Sequence, residues 1–136
     1  MQALVLVTLA ERSKFTFAQP LLAWLKKELP ALQLVDIDNF SDSILVAGAC
    51  RLVQEADQRA LYFKVEPENI PLGASLKLLE TVLQPGKPTL LLLEGKHRQL
   101  AAICSARPHL KLIQSENEAN LREKLLVFFS KDNGDT

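Results

Sequence analysis

An α/β sandwich, with helices on both faces of a parallel sheet, follows from three features of this sequence. Five short, continuous apolar runs recur along the chain, at Ala3 to Thr8, Leu32 to Ile37, Ala60 to Val65, Thr89 to Leu93 and Leu110 to Ile113. The segments between them carry apolar residues every three or four positions, so the pattern alternates between buried strand and amphipathic helix. Of the seven prolines, all but Pro20 fall in the connections, where a missing N–H and a fixed φ punctuate elements rather than break them.

Each element follows in order. Ala3 to Thr8 is the first strand, and Phe17, Leu21, Trp24, Leu25 and Leu29 form the buried stripe of the first helix, with Lys26, Lys27 and Glu28 turned outward. Pro20 is expected in that helix's first turn, where it sacrifices no hydrogen bond. Leu32 to Ile37 is the second strand, Ile44 to Cys50 the second helix and Ala60 to Val65 the third strand. A leucine-rich third helix stops at Gln84-Pro85-Gly86-Lys87-Pro88, just before the fourth strand. That strand contains Leu90-Leu91-Leu92-Leu93, a tract incompatible with a wet face and expected to be covered on both sides. A fourth helix containing Cys104, the fifth strand at Leu110 to Ile113, and a last helix with Leu121, Leu125, Phe128 and Phe129 complete the chain.

Five strand-helix units in 136 residues come to roughly 27 residues each, the size of short connections in an open sheet. The expectation is a flavodoxin-like three-layer α/β/α sandwich over residues 1–130, with a five-stranded, parallel, doubly wound sheet in the order 2-1-3-4-5. A polar tail is expected at 131–136.

Composition narrows the function. Sixteen Lys and Arg balance sixteen Asp and Glu, which removes the broad positive field used by binders of nucleic-acid polymers or anionic membranes. Cys50 and Cys104 lie in apolar helical stretches, which excludes a disulfide framework and a paired-thiol zinc site and suggests a reducing, cytoplasmic setting. No apolar run approaches the roughly 18 residues of a membrane span. The sequence implies no cofactor and no metal.

The second helix is unusual, because Ile44-Leu45-Val46-Ala47-Gly48-Ala49-Cys50 is apolar nearly all round. Either it forms a homodimer or protein-partner contact in which Gly48 and Ala49 permit close approach, or part of the run is tucked under a loop.

Ligands of open α/β sheets bind beyond the carboxyl ends of the strands. Arg12, Ser13, Lys14 and Thr16 follow the first strand and could hold an anion at a helix amino terminus, although no glycine lets backbone approach a phosphate or flavin. Ser13 or Thr16 could equally cap the helix. Asp36 and Asp38 share one strand face, a spacing suited to magnesium, to ribose hydroxyls, or to capping the second helix with Ser41. After the fourth strand come Glu94, Lys96, His97 and Arg98. His97 is the candidate general acid or anion contact, with a solvated basic turn as the alternative. No Gly-x-Ser-x-Gly elbow occurs, and Cys104 lies five residues from His109.

The order Ala56-Asp57-Gln58-Arg59-Ala60-Leu61-Tyr62-Phe63, Pro71-Leu72-Gly73, a leucine-rich helix and Gly86-Lys87-Pro88 before a buried strand resembles the middle of the nucleoside 2-deoxyribosyltransferase-like group. The resemblance covers about a third of the chain and implies a nucleotide-type pocket. The position of that group's catalytic glutamate, a turn after the glycine, is Lys77 here, with Glu80 the nearest carboxylate. This departure implies a pocket without its nucleophile.

Two functions remain as expectations. One is a small cytoplasmic binding or interaction domain without catalysis, working through the second helix. The other is a nucleotide- or phosphometabolite-binding enzyme with a degenerate site, in which Arg12, Ser13, Asp38, Lys96 and His97 form the anion and nucleotide rim and His97 or Glu94 moves a proton.

Overall fold

The computed structural model describes residues 1–11 and 19–130. Five strands and five helices alternate: β1 (Gln2–Ala10), α1 (Pro20–Glu28), β2 (Gln33–Asp38), α2 (Ser43–Glu55), β3 (Gln58–Glu66), α3 (Ser75–Thr81), β4 (Thr89–Glu94), α4 (Arg98–Ser105), β5 (Leu112–Ser115) and α5 (Glu118–Ser130). The strands pair in parallel in the order β2-β1-β3-β4-β5. The expected three-layer fold and strand order are therefore present, and residues 131–136 lie outside the described residues.

Period-two alternation sorts the strand side chains onto two faces, and each face builds its own core. Val5, Val7, Leu61, Phe63, Leu91 and Leu93 face α2, α3 and α4, which supply Val46, Val53, Leu78, Leu79 and Leu100. Leu4, Leu6, Ala60, Tyr62, Leu90 and Leu92 face α1 and α5, which supply Leu21, Leu25, Leu121, Leu125 and Phe129. All four residues of the Leu90–Leu93 tract are buried. Each such side chain contributes about 1.5–3 kcal/mol when taken from water, which is why the central strands tolerate no polar alternation. Arg122 of α5 lies over the Trp24 ring of α1, 4.7 Å from its centroid, and joins the two helices on this face.

The edges differ from the centre. β2 is only partly covered, with Asp36 exposed, and β5 has no buried residue, so burial on both faces holds for β1, β3 and β4 alone. β5 also begins two residues later than expected. Leu110 is buried, but its N–H donates to Arg107 O at 3.0 Å and closes a turn, so its hydrophobicity serves packing rather than pairing. α1 begins at Pro20, as its ring allows, with Gln19 in the cap position. Ser13 and Thr16, expected as caps, lie outside the described residues.

α2 is longer than its apolar run. Asp42, rather than Asp36, Asp38 or Ser41, caps it, accepting from Leu45 N at 2.9 Å. At the other end Arg59 donates to Val53 O at 3.1 Å and Lys87 to Gln54 O, so two cations meet the negative end of the helix. Val46, Ala49, Cys50 and Val53 point inward. The opposite side stays open: Ile44 is 81% exposed, Leu45 55% and, just before the helix, Phe40 46%. The run is therefore divided, with Val46, Ala49 and Cys50 buried and Ile44 and Leu45 exposed among the described residues.

Candidate functional site

The strand order reverses between β1 and β3, the place where an open α/β sheet parts its flanking helices and leaves a crevice. A cleft of about 230 Å³ lies there, walled by Thr8, Leu9 and Ala10 of β1, Lys64, Val65 and Glu66 of β3, Glu94 of β4, and Gln19 before α1.

Three of these residues, Thr8, Lys64 and Glu94, belong to a polar row created by register. Thr8 pairs with Asp38 on one side and Lys64 on the other; Lys64 pairs with Glu94, and Glu94 with Ser115. Parallel strands in register place paired residues on the same face, so all five side chains emerge on the α1/α5 side. One step lower β1, β3, β4 and β5 carry Leu6, Tyr62, Leu92 and Ile113, all part of the apolar layer on that side, while the edge strand β2 carries the exposed Asp36. The polar row is where that layer ends.

Members of the row differ in their commitments. Asp38 Oδ1 accepts from Phe40 N at 2.7 Å, forming a turn after β2, and Ser115 Oγ accepts from Asn117 N at 3.0 Å. Glu94 Oε1 accepts from the Tyr62 hydroxyl at 2.6 Å. Tyr62 is fully buried, and burial first, then the bond to Glu94, hold its phenol in the protonated form. Lys64 and Thr8 are half-buried and, among the described residues, have no side-chain hydrogen-bond or ion-pair partner. The central cation and hydroxyl of the row therefore face the cleft uncommitted.

The loops beyond the strands are tied to one another. Asn69 N donates to Lys96 O at 3.2 Å, Arg98 N donates to Asn69 Oδ1 at 2.6 Å, and His97 Nε2 lies 2.6 Å from Ile70 O. His97 Nδ1 accepts from Leu100 N at 3.0 Å, which makes His97 the cap of α4. Accepting through Nδ1 requires the proton on Nε2, where it bonds the Ile70 carbonyl. At 4% exposure with both nitrogens engaged by backbone, His97 is a clasp between loops rather than a free rim group or a solvated turn. On the other flank, Asn39 Oδ1 accepts from Ala10 N at 3.3 Å and Asn39 O from Ala74 N at 3.2 Å.

Of the rim residues expected from the sequence, Asp38 stands in the polar row beside Thr8 but does not line the cleft. Lys96 is exposed and does not line the cleft, and Arg12 and Ser13 lie outside the described residues. Lys64 and Thr8 escaped the sequence reading because both sit inside apolar strand runs. The available signal was a lysine interrupting Leu61-Tyr62-Phe63-Lys64-Val65 near the end of a central strand, where an unpaired charge is costly unless the chain opens to solvent or ligand.

Lys77 and Glu80 belong to a separate groove of about 490 Å³ between α2 and α3, on the sheet face opposite the polar row. Cys104 is buried on that face as well, where burial pushes its thiol up to about 11. Among the described residues no group of three His, Cys, Asp or Glu side chains could hold a metal ion, and no helix is long and apolar enough to cross a membrane. Compared with protein-family models and with curated proteins, the chain matches none.

Proposed function

We propose that the protein is a binding domain, without catalysis, that holds a small polar ligand in the cleft at the carboxyl ends of β1, β3 and β4. The observation that carries this reading is the uncommitted pair Lys64 and Thr8, half-buried in the polar row beside Glu94 at the point where the strand order reverses. A half-buried ammonium that pairs with neither neighbouring carboxylate forgoes stabilisation, and a ligand that bonds to both would recover it. Binding without turnover is supported by the commitments of the reactive groups. His97 spends both nitrogens on backbone, the Tyr62 hydroxyl is given to Glu94, and Cys104 lies on the far face.

The experiment is a thermal-shift panel of nucleosides, sugars and sugar phosphates on the protein and on Lys64→Ala. A ligand at 100 times its dissociation constant adds about 2.7 kcal/mol of stability. The reading expects a rise in Tm with one class that Lys64→Ala abolishes. An equal rise in both proteins would refute it.

A second reading, self-association through α2, is favoured by the exposure of Ile44, Leu45 and Phe40. The occupant is a second copy of this chain. Ile44 and Leu52 lie four residues either side of Gly48 on one face, so antiparallel pairing about Gly48 sets Ile44 of each copy against Leu52 of the other. A β-carbon on Gly48 would meet no atom within 4 Å, which leaves room for close approach. Sedimentation over a range of concentrations tests it: a dimer that Ile44→Ser converts to monomer is expected, and a monomer at every concentration refutes it.

A further inference from the structure

Resting on the cleft reading above, we infer that its ligand is a small uncharged polyol presenting two neighbouring hydroxyls, of monosaccharide size, and not a phosphorylated metabolite. Charge, hydrogen-bonding capacity and size lead to the same class.

The described walls of the cleft carry one cation, Lys64, against two carboxylates, Glu66 and Glu94. Against these described walls alone, a phosphate would gain one ammonium and face two like charges at close range. The helix amino terminus beside it offers little relief. α1 starts with Pro20, so its first helical position has no N–H to donate, and Leu22 N and Ala23 N already bond Gln19 O. An uncharged ligand escapes the repulsion.

Hydroxyls suit the row for a second reason. A carboxylate only accepts hydrogen bonds and an ammonium only donates them, whereas a hydroxyl does both. Lys64 and Glu94 are paired residues on adjacent strands, about 4.8 Å apart across the sheet. Two hydroxyls on neighbouring carbons can therefore accept from Lys64 and donate to Glu94 at once. Glu94 has an oxygen to spare, because only Oε1 receives the Tyr62 hydroxyl. Thr8, paired with Lys64 on its other side, adds a group that donates or accepts. Ala10, two residues beyond Thr8 on the same face of β1, adds an apolar methyl beside the row.

Size agrees. About 230 Å³ falls below the roughly 300–1,000 Å³ of sites for drug-sized ligands and leaves space for one sugar ring.

The test is a titration followed by amide NMR on the full chain, with D-ribose, ribose 5-phosphate and putrescine as probes, repeated on Glu66→Gln. Ribose is expected to shift the resonances of Thr8, Lys64 and Glu94 saturably, with ribose 5-phosphate about tenfold weaker. Glu66 is exposed, so Glu66→Gln should fold normally and narrow that gap. If ribose 5-phosphate binds the cleft as tightly as ribose, or if putrescine alone binds there, the ligand class is overturned while the cleft reading stands. If no probe moves the cleft resonances, both fall.

Discussion

His97 and Ile70 join two loops that are 27 residues apart in sequence: the imidazole Nε2 lies 2.6 Å from the Ile70 carbonyl oxygen while Nδ1 caps α4 through Leu100 N. The loop after β3, which begins at the cleft wall with Glu66, is thereby anchored to the start of α4. His97→Ala removes a helix cap and orphans a carbonyl. Cap losses cost about 0.5–2 kcal/mol and an unsatisfied buried acceptor about 1–3 kcal/mol, so urea unfolding should show a loss of about 2 kcal/mol. His97→Asn, which can still cap Leu100 N, should recover part of it. A loss below about 0.5 kcal/mol for the alanine variant would show that the clasp contributes little.

Gly95 sets the turn that follows Glu94. Its φ is 109°, and a β-carbon there would sit 2.6 Å from Val65 O, a backbone atom of the neighbouring strand. Gly95→Ala should therefore destabilise by about 2 kcal/mol or more, combining strain with displacement of the cleft wall. Chemical denaturation checks this, and an unchanged midpoint would contradict the close approach.

Alkaline pH should weaken the fold in a defined window. Burial raises the Cys104 thiol from 9.0 to about 11, and burial together with Glu94 raises Tyr62 above its ordinary 10.0. Between pH 9 and 11 the unfolded chain releases protons that the folded chain retains, so this contribution is fully present below pH 9 and declines as pH rises. Unfolding measured at pH 8 and pH 10.5 should show the decline. Tyr62→Phe should reduce the part that begins near pH 10, whereas an identical decline in that variant would remove Tyr62 from the explanation.

Gly48 reports on what meets α2. In an exposed helix interior Gly→Ala gains roughly 0.5–1 kcal/mol, and no atom obstructs a β-carbon at Gly48. At dilutions where sedimentation finds monomer, Gly48→Ala should raise the midpoint of unfolding. In a helix-to-helix dimer centred on that glycine, the added methyl should weaken association. Stronger association in the variant would contradict close packing at Gly48.

Much of the fold was legible because burial on two faces leaves an unmistakable trace. Leu90-Leu91-Leu92-Leu93 can only be a central strand, and the stripe of Leu21, Trp24 and Leu25 can only be one side of a helix. The boundaries at Leu110 and Ser43 were less legible, since a buried leucine in a turn and a buried leucine in a strand read alike. The site was legible only in part. Position after a strand pointed to Glu94, which lines the cleft, but the same rule gave equal standing to Asp38, Lys96 and His97, which do not.

Which of those residues meet depends on register, which no single segment encodes. The local pattern of apolar and polar residues was enough to determine the class of fold and its two-sided core. The pairing of β1 with β3, and of β3 with β4, then set Thr8, Lys64 and Glu94 side by side, although they lie far apart along the chain. The loop-to-loop contact to Ile70 turned His97 inward. Hydrophobic periodicity is a local property written into consecutive residues, whereas strand register and loop docking arise only when distant segments pack, and these assemble the cleft.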